Sequence, residues 1–127
     1  MKLNPDCVRD ILLYVEDSTD YHVSCCISPR ELPSPLNTYP ANVVMYHVEQ
    51  CIMSNYFSKS TSDLNNNITI KGLSPIGHQF IDNVRSDNIW NDVKSVSTKV
   101  GVKSLGALAK IASGVVTALI QAQIGLK

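Results

Sequence analysis

The chain has 127 residues, 44% of them hydrophobic, the size of one ordinary domain able to bury a core. Eleven Lys and Arg balance eleven Asp and Glu, so the molecule as a whole has no electrostatic pull toward nucleic acid or acidic lipid. The charges are unevenly placed: residues 1–70 carry eight acidic and four basic side chains, a balance of −4, and 71–127 carry three and seven, a balance of +4.

Asn4, Pro5 and Asp6 form a helix start, with a capping side chain, a residue of preset φ and a carboxylate at the positive end of the dipole. Val8, Ile11, Leu12 and Val15 follow at helical spacing, which predicts a helix over about residues 5–17. From Tyr21 the period becomes two: Tyr21, Val23, Cys25 and Ile27 share one side, as a half-buried strand would show. Pro29, Pro33, Pro35 and Pro40 allow only a short helix between them. After Pro40 a longer helix is predicted, with Val44, Val48, Cys51 and Ile52 inward and Asn42, Met45, Tyr46, Glu49 and Gln50 outward.

Tyr56 to Ser60 and the run ITIK, with Ile68 and Ile70 on one face, predict a hairpin with a loose polar tip at SDLNNN. Leu73 closes the returning strand, Ser74 caps a helix, Pro75 takes its first position, and Gly77 lets it approach the sheet closely. Phe80, Ile81 and Val84 form its buried side. Ser86 or Asp87 caps the next helix, with Ile89, Trp90, Val93 and Val96 inward. The last helix, Lys103 to about Gln123, carries an apolar stripe of Leu105, Leu108, Ile111, Ala112, Val115, Val116, Leu119 and Ile120. Lys110 and Gln121 argue against a membrane-spanning role; the stripe reads equally as a homodimer contact or as folding back over the core, and binding at a membrane surface is the lesser reading because its polar side carries only Lys103 and Lys110.

The predicted fold is α+β, mostly α: a winged helix-turn-helix over 1–85 with a small β wing, then a C-terminal helical extension over 86–127 within the same compact unit. The start MKLNPD with RDILL (Arg9–Leu13), the pair Tyr46-His47 and the block GHQFIDNVRSDNIW (Gly77–Trp90) carry a further signal. In these stretches the chain resembles small phage and prophage proteins grouped as domain of unknown function 2513. The resemblance implies a phage-type, winged-helix-like protein and no activity. The cysteine pair Cys25-Cys26 and the proline-rich 29–40 segment, where the second helix is expected, depart from that pattern.

Catalytic and cofactor chemistry find little support in the residues. The glycines of GVKSLGA sit at phosphate-loop spacing, but Ala107 stands where the lysine belongs. Cys7, Cys25, Cys26 and Cys51 form no C-x-x-C pair, no two histidines lie four apart on a helix, and neither metal nor cofactor is expected. His78, at a helix start, is the one tempting acid–base residue, and no nucleophile or acid is placed near it by sequence. The N-terminus lacks the apolar stretch of a secretory signal, which together with the resemblance predicts the cytoplasm of a bacterial host.

Two partners remain. The winged-helix analogy points to duplex DNA, with Asn42 and Gln50 reading bases, Tyr46 on a phosphate and Lys59, Asn66 and Lys71 on the wing. Residues 41–55 hold no Lys or Arg, however, and Glu49 would face the phosphates, while a specific binder uses roughly six to ten phosphate contacts. A protein partner is therefore favoured, with Asn42, Met45, Tyr46, Glu49 and Gln50 as its surface.

Overall fold

In the computed structural model, which describes residues 1–125, Asn4 accepts a hydrogen bond from the Cys7 amide (3.2 Å) and opens α1, Pro5–Ser18. Its buried stripe is Cys7, Val8, Ile11, Leu12 and Val15, the spacing read from the sequence plus Cys7. The helix ends where the Thr19 hydroxyl donates to Val15 O (2.7 Å).

β1 is shorter than predicted, Cys25–Ile27. Tyr21 and Val23 are exposed, because Asp20 Oδ1 accepts from the amides of His22 (2.8 Å) and Val23 (2.9 Å) and closes a turn over residues that alternate like a strand. Between the prolines only a 3-10 turn forms, Leu36–Thr38; Leu36 is buried in the core and the Tyr39 hydroxyl donates to Asp10 Oδ2 on α1 (2.7 Å). α2 runs Ala41–Met53 and buries Val44, His47, Val48 and Cys51; Ile52, expected inward, is half-buried.

β2 (Phe57–Ser62) and β3 (Ile68–Leu73) make the hairpin, and β3 is central in an antiparallel sheet of order β1-β3-β2. Cys25 pairs with Ile70 and Ile27 with Ile68, so these four line the buried face, with α1 packed against β3. Cys26 and Thr69 pair on the opposite, exposed face, followed along β3 by Lys71. A register irregularity around Lys59 sets that residue opposite Gly72.

The expected corner is present. Ser74 N–H donates to Tyr56 O (2.9 Å), the Ser74 hydroxyl donates to Asn55 O (2.6 Å), and Gly77 N–H donates to the Ser74 hydroxyl oxygen (3.1 Å), which starts α3, Pro75–Val84. A Cβ on Gly77 would overlap the Tyr56 carbonyl oxygen, so only glycine lets the helix pass this loop.

The chain divides into two compact units, Met1–His78 and Gln79 onward, with the boundary inside α3. In the second unit Ser86 caps α4 (Asp87–Val100), and Gly101, at φ 79°, ends it in the left-handed conformation. Trp90, Val93 and Ser97 are its buried residues; Val96, expected in that stripe, is exposed, because the covered strip continues through i+7 from Trp90 to Ser97. α5, Leu105–Ile124, packs on α4 and is capped by Ser104. The fold is thus α+β and mostly helical, with a small antiparallel sheet followed by further helices, as the sequence indicates.

Candidate functional site

α2 presents its outward residues unequally. Asn42 and Glu49 are exposed, whereas Met45, Tyr46 and Gln50 are half-buried, the Tyr46 ring standing edge-on to His47 at 5.2 Å. Met45 and Glu49 meet Ser62 of β2, Asn66 of the hairpin tip, Ile68 and Pro29 around a groove of about 190 Å³. Among its lining Glu49 alone is ionisable.

The tip is ordered rather than loose. Asp63 accepts from the Asn67 side-chain amide (3.0 Å) and from the amides of Asn67 (3.0 Å) and Asn65 (2.9 Å), and Asn66 adopts φ 63°, which asparagine tolerates in tight turns. The Asn67 bonds first, then the Asn65 amide and the charge of Arg30, hold the Asp63 carboxyl below its ordinary range. This clamp fixes Asn66 at the groove's edge.

The predicted wing residues do not act as one surface. Asn66 belongs to the groove with Met45 and Glu49, whereas Lys59 and Lys71 lie on the solvent face of the sheet with Ser24, Thr61 and Thr69. Strand alternation decides this: Ile68, two residues before Ile70, faces the core, so Lys71 must face out.

The predicted dimer stripe on α5 also divides. Leu105, Leu108 and Ala112 are buried within the chain's own fold, and Ile111, Val115 and Val116 are half-buried. Leu119 (41%), Ile120 (53%) and Ile124 (74%) remain exposed. By length and composition α5 is apolar enough to cross a membrane, although Lys110 and Gln121 interrupt it.

His78 gains a neighbour that the sequence does not reveal: its Nδ1 lies 4.0 Å from Glu16 Oε2, both lining a cleft of about 420 Å³ with Thr19, Asp20, Tyr21 and Lys71. No local signal links Glu16 on α1 to His78 on α3, since their approach depends on how the two helices pack. Burial pushes the thiols of Cys7 up to about 12 and Cys25 up to about 11, and raises Cys51 further, which makes them inert core residues. Among the described residues no three His, Cys, Asp or Glu side chains gather as a metal site.

The stretches that carry the family resemblance have structural explanations. The Asn4 amide donates to His47 Nε2 (2.8 Å), and His47 Nδ1 lies 2.7 Å from Val43 O, so the MKLNPD start and the Tyr46-His47 pair are joined through the buried His47 ring. Gly77 opens the long block because of the Tyr56 carbonyl.

A family model described as hypothetical protein (DUF2513) matches residues 2–103. An uncharacterized protein of Haemophilus influenzae is 26% identical over 123 residues, covering 94% of this chain and 99% of that relative. No solved structure matches.

Proposed function

We propose, from the premise that the chain belongs to the DUF2513 family, that it acts without catalysis as a winged-helix-like module holding a protein partner in the groove between α2 and the hairpin tip. The chemistry of that groove carries the reading. Met45, Pro29 and Ile68 offer apolar surface, Ser62 and Asn66 offer polar groups, and Glu49 offers a carboxylate. A basic segment fits, its aliphatic stem lying on Met45 and its cation meeting Glu49. DNA phosphates would instead meet the carboxylate.

The element order, with β1 pairing outside a two-strand hairpin, supports the winged-helix likeness. The favoured partner class follows from the phage-type resemblance and the groove together: a protein of the bacterial host whose own nucleic-acid surface is basic, bound in the cytoplasm and thereby inhibited or regulated. Protein retained from host lysate by the immobilised chain should fall about tenfold on Glu49→Lys and also on Met45→Glu. Equal retention by wild type and both variants would sink the groove as the site.

Homodimerisation through Leu119, Ile120 and Ile124 is part of the proposal, since their exposure leaves an apolar strip on α5. Sedimentation should show a dimer that Leu119→Lys with Ile120→Lys converts to monomer. A monomeric wild type refutes it.

A dimeric DNA-binding regulator using α2 and the wing is the second reading, favoured by exposed Asn42 on α2 and by two lysines on the wing. It requires a salt-sensitive shift of DNA from upstream of the protein's own gene, lost in Asn42→Ala with Lys71→Ala.

A further inference from the structure

The solvent face of the sheet carries a chemistry unlike the groove's. Ser24, Lys59, Ser60, Thr61, Thr69 and Lys71 line a depression of about 190 Å³ there, two ammonium groups among four hydroxyls and no carboxylate. Beside it stands Tyr21, 83% exposed, on the turn that Asp20 locks through the His22 and Val23 amides. Lys71 Nζ lies 5.7 Å from the centre of the Tyr21 ring, so one cation borders both the depression and the aromatic surface, and the His22 ring stands edge-on to Tyr21 at 5.1 Å. An ordered turn that offers a large ring to solvent next to cations resembles a stacking platform more than a packing residue.

We infer that this face binds single-stranded nucleic acid, Lys59 and Lys71 meeting phosphates, the Ser24, Thr61 and Thr69 hydroxyls donating to backbone oxygens, and Tyr21 stacking one base. The number of charges separates this ligand from a duplex. Two lysines fall well short of the roughly six to ten phosphate contacts of a typical duplex binder, and stacking on Tyr21 needs an unpaired base. Glu16 and Asp20 line the cleft on the other side of Tyr21 and Lys71 and would repel a continuing strand. The site therefore ends at Tyr21 and covers a few nucleotides. It lies on a different surface from the protein-binding groove and stands without that reading.

Fluorescence anisotropy of the full chain with a labelled oligo(dT) of about 12 nucleotides tests it. Wild type should bind with an affinity that falls as salt rises. Lys59→Ala with Lys71→Ala should weaken binding about tenfold or more and flatten the log–log salt slope by about 1.4, at ~0.7 per phosphate. Tyr21→Ala should weaken binding with the slope unchanged, and Tyr21→Phe should bind as wild type. All these side chains are exposed, and unchanged thermal melts will verify that each variant folds. Absence of oligo(dT) binding by wild type overturns the inference, as does an unaltered affinity in the double lysine variant. Tighter binding to the matching duplex, or equal binding to heparin with Tyr21→Ala silent, overturns it equally.

Discussion

Gly77→Ala should destabilise the first compact unit by about 2–3 kcal/mol, read as a lowered urea midpoint with the helical signal at 222 nm. One effect favours the alanine: its helix propensity is better by about 1 kcal/mol, chiefly because it restricts the unfolded chain. That gain loses to the overlap of the new Cβ with the Tyr56 carbonyl oxygen. That oxygen is backbone, and it already accepts the Ser74 amide at 2.9 Å. The loop cannot yield without loosening the Ser74 cap, whose hydroxyl also binds Asn55 O and the Gly77 amide. A midpoint at or above that of wild type would show that α3 slides past the loop freely.

His47→Ala should cost about 2–4 kcal/mol in the same measurement, and His47→Phe about 1–3 kcal/mol. His47 is fully buried, so alanine leaves a void and removes the acceptor that holds the Asn4 amide. Phenylalanine restores the volume and still leaves that amide and the Val43 carbonyl without the ring nitrogens. The gap between the two variants therefore measures packing, and what persists in His47→Phe measures the hydrogen bonds. Because Asn4 also caps α1 through Cys7, the loss should spread to that helix and expose Cys7 to alkylation. If His47→Phe matches wild type, the ring acts only as filler.

Neither residue lines the groove or the lysine face. The family-resembling stretches thus mark where this fold is hard to build, and Met45, Glu49 and Tyr21, which carry the proposed surfaces, lie outside them. Recognising the family from Gly77–Trp90 accordingly says much about architecture and little about ligand.

The helices were legible because their signals are local. Asn4-Pro5-Asp6, Ser74-Pro75 and Ser86 each start a helix by supplying a side-chain acceptor within three residues, and apolar spacing marks the buried stripes. The same reading failed at Tyr21 and Val23. Their alternation imitates a strand, but the Asp20 carboxylate captures two amides that a strand would have left for its neighbour. It failed again at Val96, where helical period alone could not tell a central position from one at the stripe's edge.

Local chemistry, then, was enough for the number and kind of elements, their caps, the buried glycine and the shortage of cations on α2. Which side chains share a surface depended on packing and strand register. Pairing Ile68 and Ile70 against β1 turned Lys71 outward with Lys59, while the Asp63 clamp holds Asn66 beside Glu49, so the three residues line two separate depressions. Contacts between residues far apart in the chain set these outcomes, and no short window of sequence contains them.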